Sequence, residues 1–88
     1  MMEHDGVAAR TLAILRRVTG DDEVVADPDL PLFTSGLLDS LGLVSLMLDF
    51  EAAFGLVISP AAFDRESWAT PRALVADVER RLAGGSST

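Results

Sequence analysis

The sequence predicts an all-α fold, a small four-helix bundle with a long first loop and a short third helix. Apolar residues recur at helical spacing in two terminal segments, and a central segment is apolar around most of its circumference. No segment makes a credible strand, although three apolar residues, Leu56 to Ile58, are ambiguous. With 88 residues the chain is one domain, which we expect to span 7–83 between a flexible N-terminus at 1–6 and a flexible tail at 84–88.

The first and last helices each carry one apolar stripe. Residues 7–18 predict a helix, and Gly20 is its stop signal. Its stripe consists of Val7, Leu12, Leu15 and Val18. The last helix begins at Thr70-Pro71, a cap followed by proline at the first helical position, and runs to about Leu82. Its apolar face consists of Leu74, Val75, Val78 and Leu82.

Two further segments connect these helices. Residues 21–39 predict an irregular loop, because Pro28, Pro31, Gly36 and several aspartates favour turns. A loop of this length in a small domain is usually functional or packed by its own apolar side chains. Pro60 to Phe63 predicts a turn or a one-turn helix, the short third helix of the bundle.

The central helix, predicted over 40–54, has two apolar stripes. Asp39 or Ser40 caps its start and Gly55 ends it. The first stripe is long enough to bury the helix and consists of Leu43, Leu46, Met47, Phe50 and Phe54. The second consists of Leu41, Val44 and Leu48, continued by Glu51 and Ala52. Because so small a protein has difficulty burying both stripes, the second predicts a docking surface for a partner, with a wide core face as the alternative.

Composition excludes most catalytic and metal sites. The chain has no cysteine and no tyrosine, and its one histidine, His4, lies near the N-terminus. A Ser-His-Asp triad therefore lacks a plausible base, and a zinc site lacks ligands. We expect no catalytic residue, no metal and no enzyme activity of the protein's own.

The net charge of −7 is concentrated in the middle of the chain. Residues 21–66 hold ten acids and a single base, Arg65. An acidic face repels nucleic acid and anionic membranes and attracts basic protein patches, although it also serves solubility alone. No apolar run approaches a membrane span, and residues 1–6 lack the plan of a signal peptide, so we expect a cytoplasmic monomer that binds no nucleic acid.

Ser40 lies where the long loop meets the start of the central helix. The positive end of the helix dipole and the free N–H groups there favour a phosphate group. Simple helix capping is the alternative role for a serine in an isolated Asp-Ser-Leu triplet.

The sequence around Ser40 resembles the attachment site of acyl and peptidyl carrier proteins. The matching segment is 32–42, Leu-Phe-Thr-Ser-Gly-Leu-Leu-Asp-Ser-Leu-Gly, and the acidic, Phe-terminated end of the helix at 49–55 also matches. The resemblance implies an acyl-carrier-like bundle in which Ser40 carries 4′-phosphopantetheine, added from coenzyme A by a magnesium-dependent phosphopantetheinyl transferase. Asp39 and Leu41 then match the residues that flank the modified serine.

Within this family, the segment 63–71 is similar to the D-alanyl carrier proteins of teichoic acid modification. All seven bases are arginine, however, which suggests a GC-rich genome of the kind that encodes discrete carriers in antibiotic pathways. We therefore expect a carrier that holds an amino acid or an aminoacyl or acyl group as a thioester for polyketide or nonribosomal peptide biosynthesis. The alternatives are a D-alanyl carrier for teichoic acid, a fatty-acid-type acyl carrier, and an unmodified helical interaction module.

The resemblance also implies a set of partners. They are a phosphopantetheinyl transferase, an adenylating amino-acid or acyl ligase, and an acyltransferase or synthase that receives the cargo. We expect the partners to contact one small patch around the serine, whose residues are Asp39, Leu41, Val44, Leu48 and Glu51. A small patch of this kind suits a transient interface. Trp68 fits the D-alanyl carrier resemblance, but alone it more simply predicts a core residue.

Overall fold

The computed structural model describes residues 3–59 and 63–84, and in those ranges the fold is entirely helical. Helices α1 (Glu3–Thr19), α3 (Ser40–Phe54) and α4 (Pro71–Gly84) form the bundle, and α1 packs against both α3 and α4. Two short elements, α2 (Glu23–Ala26) and a 3-10 helix (Arg65–Trp68), lie in the connections. No strand occurs in the described ranges, so the prediction of a small all-α bundle is confirmed.

Helix α1 is longer than its sequence pattern predicts. It begins at Glu3 rather than at residue 7, and it ends at Thr19. Gly20 stops it in a left-handed conformation (φ 72°), with its N–H donating to the Arg16 carbonyl at 2.7 Å. Leu15 is completely buried, so the predicted stripe does face the core.

The first loop is only partly irregular, which corrects the prediction for residues 21–39. It contains α2, whose Val24 side chain is completely buried. Leu32 and Leu38 are also buried, and the Leu32 N–H donates to the Ala69 carbonyl at 2.8 Å. These anchors fix the end of the loop immediately before α3.

Helix α3 buries its first stripe as predicted. Leu46, Met47 and Phe50 are buried, while Leu43 and Phe54 are partly buried at the margin of the core. Gly55 ends the helix in a left-handed conformation (φ 69°), where its N–H donates to the Glu51 carbonyl at 2.9 Å.

Trp68 is a core residue with a polar anchor. Its ring is fully buried and makes edge contacts with Phe50 and Phe63, at centroid distances of 5.5 Å and 4.5 Å. Its Nε1–H donates to Asp77 Oδ2 at 2.8 Å, and Arg81 Nε donates to the same oxygen at 2.7 Å. The connection between α3 and α4 is thereby tied to a charged group inside the bundle.

The start of α4 follows the sequence prediction, but the short third helix does not lie where it was predicted. The Ala73 N–H donates to Thr70 Oγ1 at 3.1 Å, and α4 reaches Gly84, two residues beyond Leu82. Of the predicted element from Pro60 to Phe63, residues 60–62 lie outside the described residues and Phe63 is not helical. The short helix that is described is the 3-10 helix that follows. Residues 1–2 and the tail 85–88 also lie outside the described ranges.

Candidate functional site

Ser40 is the first residue of α3, and its side chain is exposed. Asp39 precedes it in an extended conformation (φ −111°, ψ −171°), and Asp39 Oδ1 accepts a hydrogen bond from the Gly42 N–H at 2.8 Å. Asp39 is therefore the capping residue, which settles the choice that the sequence left open. The Ser40 hydroxyl is not the group that caps α3.

This position suits a phosphodiester. The first N–H groups of a helix have no acceptor within it, and the helix dipole adds positive potential at the same end. A phosphate on the Ser40 oxygen would lie beside these groups without displacing a buried contact. The residues present thus fit a covalently attached phosphate group.

The second stripe of α3 points away from the core. The exposed fractions are 75% for Leu41, 49% for Val44 and 60% for Leu48. Asp39 and Glu51 are exposed as well. The alternative of a wide core face is therefore wrong, because three large apolar side chains lie side by side on the surface next to Ser40. Their use by a partner stays a prediction.

A groove of about 580 Å³ lies between α1 and α3, and it extends along α3 from its start to Asp49. Its lining combines apolar, hydroxyl and charged groups: Arg17, Val18, Leu37, Asp39, Leu41, Gly42, Ser45, Leu48 and Asp49. Arg17 Nη2 spans it to Asp49 Oδ2 at 3.0 Å. The two residues that flank Ser40 in the chain both line this groove.

Gly42 lies in the first turn of α3, where a side chain would crowd Leu38 at the end of the preceding loop. A Cβ atom at this position would lie 3.1 Å from Leu38 Cδ1 and 3.6 Å from Val18 Cγ1. The same Cβ would lie 3.4 Å from the capping oxygen of Asp39. The absence of a side chain here therefore avoids a tight contact with Leu38 beside the cap.

A second cleft, of about 320 Å³, lies on another part of the bundle between α1, α2 and α4. Its lining is mostly apolar and includes Leu12, Val24, Pro71 and Val75. It shares no lining residue with the groove beside Ser40.

The groups with shifted pKa values lie away from Ser40. Burial raises the pKa of Asp77, but the hydrogen bonds from Arg81 and Trp68 and the charges of Arg81 and Arg80 lower it overall. A hydrogen bond from Arg72 lowers the pKa of the exposed Asp29. Neither group contributes to the chemistry of the candidate site.

Sequence reasoning missed Asp77. Its spacing to Arg80 and Arg81 on α4 could have indicated a local ion pair. Nothing in the pattern indicated that the carboxylate lies under Trp68, because that contact depends on how the connection folds back onto α4. In the described residues no three His, Cys, Asp or Glu side chains are grouped to hold a metal ion. None of the helices over 3–59 and 63–84 has the length and hydropathy of a membrane span.

A family model and individual relatives both match most of this chain. The family model described as "Phosphopantetheine attachment site" matches residues 9–78. A D-alanyl carrier protein of Enterococcus faecalis is 46% identical over 68 residues, which cover 77% of this chain and 87% of the relative. One from Lacticaseibacillus casei is 40% identical over 79 residues, covering 90% of this chain and 98% of the relative. One from Listeria innocua is 38% identical over 68 residues, covering 77% and 87%.

Proposed function

The chain belongs to the phosphopantetheine attachment site family, and from that premise we propose that it carries D-alanine as a thioester on an arm attached to Ser40. It is a carrier protein with covalent 4′-phosphopantetheine, and the reactions that load and unload the arm belong to separate enzymes. The arm supplies a thiol, which a chain without cysteine lacks. The observation that carries the choice of Ser40 is its exposed position at the start of α3, next to a residue that already caps the helix.

Attachment at Ser40 is chemically simple. The serine oxygen forms a bond to the phosphorus atom that carries the pantetheine in the pyrophosphate of coenzyme A. The P–O bond of the pyrophosphate bridge breaks, so that adenosine 3′,5′-bisphosphate leaves, and the hydroxyl proton is released. The Asp39 carboxylate beside Ser40 already caps α3, so we assign the acceptance of this proton to the phosphopantetheinyl transferase, which also supplies the magnesium ion.

D-alanine as the cargo rests on the relatives. The three described above are all named D-alanyl carrier proteins, and each aligns over three quarters or more of this chain. The natural-product pathway that we expected from the arginine-rich composition finds no support in these relatives. The amino-acid class of cargo is common to both assignments, and teichoic acid alanylation is the pathway that accords with D-alanine.

The exposed stripe of Leu41, Val44 and Leu48 is the surface that we assign to the partners. The stripe adjoins Ser40, so an enzyme that binds it holds the attachment point of the arm in a fixed position. Asp39 and Glu51 flank it and would steer basic residues of a partner. The partner classes are a phosphopantetheinyl transferase, an adenylating ligase for D-alanine and an acyltransferase that receives it.

Mass spectrometry after incubation with coenzyme A and a promiscuous phosphopantetheinyl transferase tests the attachment. Wild type should gain the mass of one arm, and Ser40→Ala should gain none. Ser45→Ala is the matched control, because it removes another exposed hydroxyl from the same helix, and it should be modified like wild type. An unmodified wild type would support the interaction-module alternative, and a modified Ser40→Ala would show that the site is elsewhere.

The cargo is tested on the arm-bearing protein with three adenylating enzymes, one for D-alanine, one for another amino acid and one for fatty acids. Loading of D-alanine in preference to L-alanine and to a fatty acid is the expected result. Loading of the fatty acid alone would place the protein with the fatty-acid-type carriers. Selective loading by an enzyme for another amino acid would favour the natural-product assignment.

A further inference from the structure

We propose that the groove between α1 and α3 seats the phosphopantetheine arm and its aminoacyl group when no partner is bound, so that the cargo lies on the surface between these two helices and not inside the bundle. This inference rests on the proposed attachment at Ser40.

The position of the groove provides the first argument. Its lining includes both Asp39 and Leu41, so an arm attached at Ser40 begins at the edge of the groove. From there the groove continues along α3 past Ser45 to Leu48 and Asp49, the last lying against Arg17 of α1. An arm in the groove therefore follows the outside of α3 and crosses no helix.

The chemistry of the lining provides the second argument. Pantetheine alternates amide, hydroxyl and methyl groups, and an aminoacyl thioester adds one ammonium. The groove offers apolar contacts from Val18 and Leu48, a hydroxyl from Ser45, and carboxylates from Asp39 and Asp49. Its volume lies within the range of about 300–1,000 Å³ that is typical of small-molecule sites.

The apolar cleft elsewhere on the bundle provides a third argument, which concerns the class of cargo. That cleft, between α1, α2 and α4, is mostly apolar and would accept a hydrocarbon chain more readily than a charged group. None of its lining residues also lines the groove that adjoins Ser40. The surface reached from the attachment point thus favours a short, polar cargo over a hydrocarbon chain.

The groove and the docking stripe share Leu41 and Leu48. A partner that buries these two side chains therefore competes with the arm for them. Docking would release the arm from the groove at the moment when an enzyme is in place to receive it.

Amide chemical shifts of the protein without the arm, with the arm and with the D-alanylated arm test this placement. The arm should shift the amides of Val18, Ser45 and Leu48, which are distant from Ser40 in sequence or on the next turns of α3. The amides of Val75 and Ala76, in the apolar cleft, should not move. Shifts confined to residues 39–42, or shifts in the apolar cleft, would overturn the proposal.

A pair of variants adds a second measurement. Ser45→Phe fills the groove, whereas Ala52→Phe adds the same ring seven positions later on the same side of α3, outside the groove. Both positions are exposed, so both variants should remain helical by circular dichroism. Ser45→Phe should abolish the shift at Val18 and raise the alkylation rate of the arm's thiol severalfold, and Ala52→Phe should match wild type.

Equal alkylation rates in the two variants, with unchanged shifts, would refute seating in the groove. The arm's mass is measured on every sample first. A missing mass therefore disproves the attachment at Ser40, whereas a present arm without groove shifts disproves only its placement.

Discussion

Replacing Asp77 by asparagine removes a buried charge that links α4 to the preceding connection. Asp77 is 1% exposed, and its Oδ2 accepts hydrogen bonds from Trp68 Nε1 at 2.8 Å and from Arg81 Nε at 2.7 Å. Its Oδ1 pairs with Arg80, whose side chain is largely exposed. Asparagine keeps the shape of the side chain, but its amide N–H₂ faces a guanidinium that also has only donors to offer.

The expected loss follows from these partners. A hydrogen bond to a charged group contributes about 1.5–3 kcal/mol to stability, and the screened pair with Arg80 adds little. We therefore expect Asp77→Asn to lower the free energy of unfolding by about 1.5–3 kcal/mol. For a domain of 88 residues each kcal/mol corresponds to roughly 4–8 °C in Tm.

Urea unfolding followed by fluorescence measures this loss, because Trp68 is the single tryptophan and contacts the mutated group. Asp29→Asn is the matched control, since it also removes a carboxylate paired with an arginine, Arg72, but on the exposed surface. It should change the unfolding midpoint much less than Asp77→Asn. If the two variants were equally stable, the buried network would not stabilise the fold and the reasoning would be refuted.

Wild type and Asp77→Asn should also differ in how their stability depends on pH. The folded state lowers the pKa of Asp77, so its contribution to stability is present above the unfolded value of about 3.9 and is lost as the pH falls through the lower, folded pKa. The difference in unfolding free energy between wild type and Asp77→Asn should be constant between about pH 5 and 7 and shrink below about pH 4. A difference that grew on acidification would contradict the direction of the shift.

Further predictions concern α3 and its two ends. Val44→Asp or Leu48→Asp should greatly slow loading at unchanged helicity, because burial of such a side chain contributes roughly 1.5–3 kcal/mol to binding a partner. Loading rates measured against carrier concentration test this, and wild-type rates would show that the partner does not use this face. Glu51→Gln should reduce mainly the association rate measured by stopped flow, with less effect at high salt, because an exposed ion pair contributes about 0–1 kcal/mol. Asp39→Ala should lower the unfolding free energy by about 0.5–2 kcal/mol through loss of the cap, and an unchanged urea midpoint would show that the cap is dispensable. Gly55→Ala should lower Tm, because a left-handed residue with a Cβ costs roughly 1–2 kcal/mol, and Gly84→Ala at the end of α4 is its control.

The parts of the fold that follow from local signals were predictable. Gly20, Asp39, Gly55 and Thr70 mark helix ends through backbone conformation or capping, and the structure uses each of them as the sequence indicates. The two short elements were missed, although an aspartate side chain accepts a hydrogen bond from a backbone N–H at the start of each. Helix α2 has four residues, too few for any periodicity, and it exists because Val24 is buried against the bundle.

The candidate site was predictable to a similar depth. An apolar excess on α3 beyond what a small core can bury predicted the exposed stripe, and the loop-to-helix position singled out Ser40. The groove was not predictable, because it depends on how α1 packs along α3. Contacts between distant segments, like that of Trp68 with Asp77, carry no sequence periodicity.

Helix α3 combines a rigid position for Ser40 with an open surface around it. Leu38 and Leu46 are buried on the side that faces the bundle, and the exposed Asp39 caps the first turn. The opposite side exposes Leu41 and Leu48. In the isolated protein these apolar side chains stay in contact with water, which is unfavourable. An exposed apolar surface is useful only if another group binds and buries it. In a carrier two groups would do so in turn, its own arm between reactions and an enzyme during them. Because both would use the same side chains, strengthening one weakens the other, so variants that fill the groove should also change the apparent affinity for the loading enzyme.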